Sequence, residues 1–395
     1  MYSCHKNSYL QGNFKEINAG LLNRCVQRAW TDFVNIDEHD LDPAFNRLSS
    51  AHPNIPVQNV DVTKRPEGFG KWAMPKLRRD LHNKDPTIVT AALASISDLV
   101  HDPERCYEAI KLKILDRMVD LIYHETSSVR EKTAHALKSI AGVAEGKVAI
   151  VENDSLMNNL LDRVEDQFTE IRLQTAACIE MIARYWKTAD VLVECGFIQV
   201  LLNNLDDVCK IVEIHLETLN SLFYCDGKQL AIEEDGFEAL HRLLERDEGK
   251  IMSLACMCLA KLCSIKEGRK MAKQMNILPQ LNVLLNDERV EVHTAAAQAI
   301  MFCTIISSEK NRASQIKGLP KRLAQLCKNK LRPNCQMYAI KALTCICEHP
   351  LIRKEVSQHY YHEVVNIQLN ESIPEMRLYK NSLMSMLHWL PHTNE

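Results

Sequence analysis

A twelve-residue pattern of apolar and polar positions recurs along the chain, and its clearest copy spans residues 292–303. In that copy, apolar or small side chains occupy positions on roughly one face of a helix with 3.6 residues per turn, namely Val292, Ala296, Ala297, Ala299, Ile300 and Cys303. The pattern therefore predicts an amphipathic helix wherever it recurs.

Eight copies of this pattern can be aligned, some weakly. They begin at Ile88, Val129, Ile171, Ile211, Ile251, Val292, Cys335 and Met376. Successive starting points are 41, 42, 40, 40, 41, 43 and 41 residues apart. Self-similarity at this period is typical of an α-solenoid of the armadillo or HEAT kind. We therefore expect an all-α chain in which each repeat packs on its neighbours, so that the core grows in one dimension.

Each repeat also contains a leucine-rich segment before the recurring helix, such as residues 200–205. Glycines punctuate the repeat twice. One set follows the recurring helix at Gly146, Gly227 and Gly268, where we expect left-handed C-caps, and a second precedes the leucine-rich helix at Gly196, Gly236 and Gly318. Two interruptions divide the repeat into one short and two longer helices, which favours an armadillo-type solenoid of about seven to eight repeats over the two-helix HEAT layout.

Packing between repeats is predicted from the recurring third helix. Its sixth and eighth positions mostly carry small side chains, such as Ala134, Ala136, Cys256, Cys258, Ala297 and Ala299. Its ninth and twelfth positions carry larger apolar groups, such as Leu137, Ile140, Leu259 and Leu262. Small residues let neighbouring helices approach closely, while the larger ones fill the shared core, each stabilising the fold by roughly 1.5–3 kcal/mol.

The repeat domain is predicted to span residues 67–395, after an extension over residues 1–66 that does not fit the period. Residues 14–34 of the extension have the apolar stripe of one amphipathic helix, and four prolines follow it. Two interpretations stay open, because both bury the same stripe. The helix either covers the open end of the first repeat or acts as a partner-binding arm.

The last repeat, about residues 361–395, is predicted to be a degenerate C-terminal cap. Lys380 and Asn381 stand where other copies carry small or apolar groups, and a terminal repeat needs one polar outer face. We expect Trp389 and Leu390 to pack beneath this cap.

Composition narrows the function classes. The formal net charge of -3 argues against a nucleic-acid or membrane partner held mainly by electrostatics. No apolar run approaches a membrane span, and no secretion signal is apparent, so the fifteen cysteines are expected to be free thiols inside the cell. Most of the cysteines in the recurring helix are expected to pack as small apolar residues.

Sequence motifs for catalysis are absent. There is no phosphate-binding loop, no nucleophile elbow and no His-Glu-x-x-His zinc motif. Cys345, Cys347 and His349 supply only three neighbouring soft ligands, whereas structural zinc takes four. We therefore expect no enzyme activity, no metal, no cofactor and no small-molecule substrate.

The concave groove of the solenoid is the expected binding surface. In importin-like and catenin-like armadillo proteins, which the repeat resembles, a tryptophan at the seventh position and an asparagine at the eleventh grip an extended peptide. Here the seventh positions are Ala94, His135, Ala177, Glu217, Met257, Gln298 and Lys341, and the eleventh are Asp98, Ser139, Met181, Ser221, Lys261, Phe302 and Cys345. Neither row contains the residues of that ladder, so nuclear-import cargo is not the expected ligand.

The mixture of apolar and charged residues in these two rows fits the side of a partner helix. The candidate partner-binding residues are Asp98, His135, Ser139, Met181, Glu217, Ser221, Met257, Lys261, Gln298, Phe302 and Lys341. The alternative is a groove partly filled by the protein's own N-terminal arm.

Several local phrases resemble one armadillo family more specifically. They are Met-Pro-Lys-Leu at 74–77 with Ser-Asp-Leu-Val-His-Asp-Pro-Glu at 97–104, Ser-Val-Arg-Glu-Lys-Thr at 128–133, Lys-Glu-Gly-Arg-Lys at 266–270, and the run at 296–306. Together they resemble the radial spoke head 14 homologues of ciliary axonemes. The match covers about residues 69–306, and the extension is a departure from the family pattern.

That resemblance implies a non-catalytic structural subunit of the radial spoke in the axoneme of a cilium or flagellum. The radial spoke joins outer doublet microtubules to the central apparatus and helps to regulate dynein-driven beating. The implied partners are other radial spoke proteins. A cytosolic armadillo-repeat adaptor or regulatory subunit of another complex is the alternative that the same residues leave open.

Overall fold

A computed structural model describes residues 72–224, 227–370 and 373–389. All regular secondary structure in these ranges is helical. The extension 1–66, its candidate helix and Leu390 lie outside the described residues. Within the described ranges, no helix is both long and apolar enough to cross a lipid bilayer.

The described helices belong to two compact units. The first unit contains α1 (Ala73–Asp80), α2 (Pro86–Leu99), α3 (Pro103–Lys111), α4 (Ile114–Leu121), α5 (Ser127–Ile140), α6 (Ala144–Val151), α7 (Asp154–Arg163), α8 (Thr169–Ala183), α9 (Trp186–Glu194), α10 (Phe197–Asn203) and α11 (Cys209–Leu222). Helices α1 and α2 belong to repeat 1. Repeats 2 to 4 then follow as successive sets of three helices.

The second unit contains repeats 5 to 8. Its helices are α12 (Gly227–Glu233), α13 (Gly236–Arg242), α14 (Gly249–Leu262), α15 (Lys266–Gln274), α16 (Leu278–Leu285), α17 (Val290–Cys303), α18 (Ser307–Ala313), α19 (Leu319–Leu326), α20 (Pro333–Ile346), α21 (Pro350–His359), α22 (Tyr361–Val365) and α23 (Met376–His388), with a 3-10 turn at Leu243–Glu245.

All eight copies of the recurring pattern are helices, and they are the third helices of the repeats: α2, α5, α8, α11, α14, α17, α20 and α23. Most begin two residues before the predicted starting point, because a capping turn precedes the first buried side chain. At α2, for example, the Thr87 backbone N–H donates to Asp85 Oδ1 at 2.9 Å, and Pro86 stands at the first helical position.

Third helices of consecutive repeats pack side by side within each unit. In the first unit α2 contacts α5, α5 contacts α8 and α8 contacts α11, and in the second α14, α17, α20 and α23 pack in the same order. The sixth, eighth and ninth positions are buried in repeats 1 to 7, as Ala297, Ala299 and Ile300 illustrate at 0% exposure. The predicted packing register is confirmed.

The glycines act differently from the prediction. Gly146 and Gly268 lie inside the short first helices α6 and α15 rather than in left-handed C-caps. A Cβ at Gly146 would lie 2.0 Å from the carbonyl oxygen of Ile140, and one at Gly268 would lie 2.0 Å from that of Leu262. Glycine is required there because the first helix crosses the end of the preceding third helix in direct contact.

Left-handed backbone occurs instead just before the second helix of several repeats. Gly196 and Gly318 have φ of +83°, and Lys113, Asp235 and Asn276 take φ between 52° and 56° at equivalent turns. The prediction of a glycine turn before the second helix therefore holds at Gly196 and Gly318. At Gly236 the preceding aspartate adopts that conformation instead.

Ion pairs join consecutive repeats in the first unit. Arg130 on α5 binds Asp166, which precedes α8, with Nε 3.1 Å from Oδ2, and Arg163 binds the same oxygen at 2.8 Å. One repeat further on, Arg172 on α8 binds both oxygens of Asp207 at 2.6 and 2.7 Å. Each pair fixes the turn before one third helix to the third helix of the preceding repeat.

The last repeat carries a half-buried Lys380 and an exposed Asn381 on α23. Lys380 on α23 donates through Nζ to the carbonyl oxygens of Val365 and Ile367, at 2.6 and 3.1 Å, and so closes the end of α22. The prediction that Trp389 packs beneath the cap is wrong, since the side chain is 52% exposed. Arg353 lies 4.6 Å from the centroid of its ring, and this cation–π contact holds the indole at the surface.

Candidate partner-binding surface

The seventh and eleventh positions of the third helices form a stripe that is neither core nor fully exposed. In repeats 1 to 7 the seventh residue is half-buried, although its neighbours at the sixth and eighth positions are buried. The eleventh residue is half-buried in every one of these repeats except repeat 2, where Ser139 is buried. Of the predicted residues, Asp98, His135, Met181, Glu217, Ser221, Met257, Lys261, Gln298, Phe302 and Lys341 are half-buried.

In the first unit, His135 and Ser139 belong to a short hydrogen-bonded chain with Ser97 of the preceding repeat. The Ser97 hydroxyl lies 2.8 Å from His135 Nδ1 and 2.7 Å from Ser139 Oγ. Burial lowers the pKa of His135, and the positive charges of Lys138 and Lys132 lower it further. Because Ser97 is itself buried, these hydrogen bonds join two repeats and leave no accessible nucleophile among the three residues.

The next repeats of the first unit supply Met181, Glu217 and Ser221. The Met181 terminal methyl lies beside Gly142 of the preceding repeat, 3.9 Å from where a Cβ would stand. Ser221 Oγ donates to the carbonyl oxygen of Glu217 at 3.2 Å, one turn earlier on the same helix. The Ser221 hydroxyl is therefore engaged with its own helix.

A cleft of about 430 Å³ opens in the second unit, between the third helices of repeats 5, 6 and 7. The predicted residues Met257 and Gln298 line it. Residues that sequence reasoning did not select complete the wall, above all Leu331, Arg332 and Tyr338. Leu331 is 89% exposed, so a large apolar side chain stands at the rim of the cleft.

Lys261 lies one turn after Met257 on the same face of α14, since residues four apart on a helix are neighbours. Burial lowers the pKa of Lys261 to about 7, and the charge of Lys228 lowers it too, while the Cys258 thiol acts in the opposite direction. The second unit therefore holds an amino group that is costly to keep charged.

The two remaining predicted residues extend the stripe through repeats 6 and 7. Phe302 is half-buried beside Met301, which is also half-buried, so the stripe is apolar there. Lys341 places Nζ 4.1 Å from the ring centroid of Tyr379 in repeat 8, a cation–π distance.

Ser97, Lys228 and Leu331 were missed because they lie outside the seventh and eleventh positions. Ser97 is the tenth residue of its copy, Lys228 is on a first helix, and Leu331 is in the turn before Pro333. The only sequence signal for Leu331 is a large apolar residue in an otherwise polar turn. A search limited to the two ladder rows could not find it.

The described residues were compared with the requirements of a metal site and of a reactive thiol. Across residues 72–224, 227–370 and 373–389, His, Cys, Asp and Glu side chains form no group of three that could hold a metal ion. Cys263 and Cys303 approach to 3.5 Å between sulfurs, but both are buried. Burial also raises the pKa of the Cys178 and Cys258 thiols to about 12, which suppresses the nucleophilic thiolate.

No protein-family model matches the chain. Among solved structures, an engineered protein is similar over 80% of this chain and 78% of its own, with a TM-score of 0.71 and 19% identity. A designed armadillo repeat protein is similar over 58% of this chain and 99% of its own, with a TM-score of 0.53 and 20% identity. Another, in complex with peptide (KR)4, gives a TM-score of 0.54 and 21% identity over 58% and 99%.

These similarities, together with the all-helical structure of the described ranges, confirm the predicted fold class. The chain is an armadillo-type α-solenoid.

Proposed function

We propose that this chain is a non-catalytic scaffold that binds other proteins along the half-buried stripe of its third helices, as a structural subunit of the axonemal radial spoke. The observation that carries the binding role is the cleft between repeats 5, 6 and 7, where exposed and half-buried apolar groups adjoin one basic residue, Arg332, and one acidic residue, Glu291. Apolar anchors flanked by charges are the pattern that partner helices and extended segments recognise.

A designed armadillo repeat protein of the same fold is in complex with peptide (KR)4, which supports use of this architecture for holding a polypeptide. In the second unit of the present chain, the ladder rows carry Lys261 and Lys341 and no acidic residue, so a basic peptide would be repelled there. We therefore expect a partner other than a basic peptide.

The assignment to the radial spoke rests on the sequence phrases at 74–104, 128–133, 266–270 and 296–306. Its partners would be other spoke proteins, and its location the axoneme of a cilium or flagellum. The supporting result would be that the tagged chain stays with axonemes after salt extraction and co-purifies with spoke proteins. Equal abundance in cells without motile cilia, with loss from salt-washed axonemes, would favour a cytosolic adaptor instead.

The groove itself is tested by charge insertion. In the double variant Met181→Glu with Phe302→Glu, two half-buried apolar positions become anionic. We expect capture of spoke proteins in a pull-down to fall sharply, whereas Glu267→Gln on the exposed part of α15 should leave it unchanged. Full capture by the double variant would refute groove binding.

A further inference from the structure

Each third helix uses a fixed set of positions to contact the repeat that follows it. These are the third, seventh, tenth and fourteenth positions of the recurring pattern. Examples in that order are Ser253, Lys341, Ser97 and Gly142, which lie against Glu291, Tyr379, His135 and Met181 of the following repeat. The positions therefore mark the interface through which repeats stack.

In repeat 8 the same four positions form an exposed surface on α23, here called the terminal face. It consists of Leu378, Ser382, Ser385 and Trp389, all exposed. Leu378 is 64% and Trp389 52% exposed, and the four residues line a cavity of about 690 Å³. No other copy of the pattern has a tryptophan at the fourteenth position. The terminal face thus continues the stacking interface and presents large apolar side chains to solvent.

The order of its residues makes the terminal face complementary to a second copy of itself. Leu378 and Trp389 stand at the two ends of the segment 378–389, and Ser382 and Ser385 lie equally far from its midpoint. Two identical surfaces meet about a two-fold axis, which here would pair the two α23 helices in opposite directions. Leu378 of one copy would then face Trp389 of the other, and Ser382 would face Ser385.

The chemistry of the terminal face suits this pairing. Small serines at its centre let two helices approach closely, and Ser382 Oγ already donates to the carbonyl oxygen of Leu378 at 3.0 Å, so burial leaves that hydroxyl bonded. None of its four residues is charged, and the charged residues of the cavity wall, Glu348 and Arg353, have opposite signs. Arg353 holds the Trp389 ring at 4.6 Å, which reduces the freedom lost on association.

We propose that this chain forms a homodimer through the terminal face, with Leu378 of each copy packed against Trp389 of the other across a two-fold axis. The dimer adds a second copy of the chain as a partner, at a surface separate from the cleft between repeats 5, 6 and 7. It also presents two such clefts in one particle, so a partner with two binding segments would be held more tightly than a partner with one.

Sedimentation equilibrium of the full-length chain tests the dimer. As the concentration increases, the average mass should rise from that of one chain toward that of two by mass action. It should rise no further, because a two-fold interface closes on itself. The mass of one chain at every concentration, or growth beyond two chains, would overturn the proposal.

Charged substitutions locate the interface. Leu378→Glu and Trp389→Lys should each raise the dimer dissociation constant at least about tenfold, because a few large side chains carry most of the binding energy of an interface. Val283→Glu is the matched control, since Val283 on α16 is 69% exposed, and it should leave the constant unchanged. Thermal unfolding checks that each variant is folded. Unchanged dimers in the first two variants, or equal weakening in all three, would overturn the proposal.

A mixture of the Leu378→Glu chain with the Trp389→Lys chain tests the pairing itself. In the proposed arrangement both substitutions fall in one contact, where opposite charges meet, and the other contact keeps its original residues. The mixed pair should therefore associate about tenfold more tightly than either variant with itself. A mixed pair that is no tighter would contradict the pairing of Leu378 with Trp389.

Hydroxyl-radical footprinting of Leu378 and Trp389 separates a second copy from other occupants. A second copy predicts protection that grows with the concentration of the chain. Equal protection at every concentration would assign the terminal face to a segment of the same chain, such as residues 390–395. Protection that requires a different protein would assign it to another partner, and either result would overturn the proposal.

The dimer and the spoke assignment can fail separately. A monomeric chain that stays with salt-washed axonemes would refute the dimer alone. A dimeric chain that is lost from them would refute the spoke assignment alone.

Discussion

In the first unit, the aspartates that precede the third helices receive arginines from the repeat before, as in Arg130–Asp166 and Arg172–Asp207. In the second unit, the equivalent Asp287 is bound by Arg289, two residues later in its own turn, at 2.8 Å. Arg289 also reaches the preceding repeat, through the carbonyl oxygen of Asp247 at 2.6 Å and the Asp247 carboxylate at 3.7 Å. Ion pairs therefore join repeats in both units, but those cited in the first unit are more deeply buried, whereas Arg289–Asp247 and Lys328–Glu363 of the second unit lie nearer the surface.

The seventh and eleventh positions of the third helices also differ between the two units. His135, Ser97 and Ser139 bond to one another across two repeats of the first unit. The second unit instead presents a cleft with an exposed Leu331 at its rim. The first unit therefore bonds polar groups of these rows to one another between repeats, whereas the second unit leaves an open cleft beside them. Each prediction below tests one side of that contrast.

The largest effect is expected where the second unit depends on close apolar packing. Ala297 is 0% exposed at the sixth position of α17, so Ala297→Glu would bury an unpaired carboxylate and overpack the helix contact. We expect a loss of about 4 kcal/mol or more and loosening of both neighbouring repeats. Thermal unfolding with hydrogen exchange checks this, and Gln298→Glu, on the adjacent half-buried position, is the matched control with little effect.

A somewhat smaller effect is expected from the ion pairs of the first unit. Asp166→Asn removes the charge that faces Arg130, whose side chain is 8% exposed. Breaking a buried pair by removing one partner costs about 3–5 kcal/mol, and we expect the lower end because Arg130 keeps its bonds to the carbonyl oxygens of His124 and Glu125. Asp120→Asn is the control, since Asp120 is 67% exposed and such pairs contribute about 0–1 kcal/mol.

Chemical denaturation at neutral pH measures both variants. Burial raises the pKa of Asp166, but hydrogen bonds from Phe168 N–H and Arg130, with the charges of Arg130 and Arg163, bring it below its ordinary value. Its stabilising contribution is therefore present above the unfolded pKa and lost as the pH falls through the folded one. Equal unfolding free energies for Asp166→Asn and Asp120→Asn would contradict the assigned role.

The first unit should also be sensitive to acid through His215. This side chain is 1% exposed, and burial lowers its pKa from 6.5 to about 4. The folded state holds the His215 imidazole in its neutral form. The free energy of unfolding is therefore undiminished by this group above pH 6.5 and falls as the pH drops toward 4. At 1.36 kcal/mol per pKa unit the loss approaches about 3 kcal/mol.

His215→Gln removes that proton linkage. The unfolding free energy of the variant should fall less steeply than that of the unaltered chain between pH 6.5 and 4. Parallel pH profiles would show that His215 is not the group responsible.

The fold was predictable because its signal is distributed over many repeats. Val292, Ala296 and Ile300 show the helical period, and equivalent residues in other copies repeat it. The repeat assignment therefore does not depend on any single copy. The left-handed C-caps were wrongly predicted, because Gly146 and Gly268 allow close helix approach rather than a left-handed backbone torsion. A glycine in sequence does not distinguish those two causes.

The groove residues were predictable as positions but not as a site. The 41-residue spacing of the recurring helix predicts that Met257 and Gln298, both at the seventh position, share the half-buried stripe. It cannot predict that Leu331, from the turn before α20, closes a cleft against them, nor that Lys228 meets Ser264. Those contacts join residues on different elements, and no single periodic pattern contains them.

The smallest predicted effect comes from replacing Lys261 in the second unit. Because the pKa of Lys261 is lowered to about 7, the folded state favours the neutral amine. The free energy of unfolding therefore rises as the pH increases from 7 toward 10.5, because the unfolded state then also loses the proton from Lys261. Lys261→Met should stabilise the chain by about 1 kcal/mol near pH 6.5 and by less near pH 9. Lys266→Met is the control, and a destabilised Lys261→Met would show that this lysine serves folding.

The most direct test of groove binding is lysine-directed cross-linking mass spectrometry on isolated axonemes. Lys261 and Lys341 lie on the ladder rows, whereas Lys266 and Lys270 are exposed on a first helix. Binding in the groove predicts cross-links from Lys261 and Lys341 to one other spoke protein. Cross-links to spoke proteins exclusively from lysines such as Lys266 and Lys270 would contradict it.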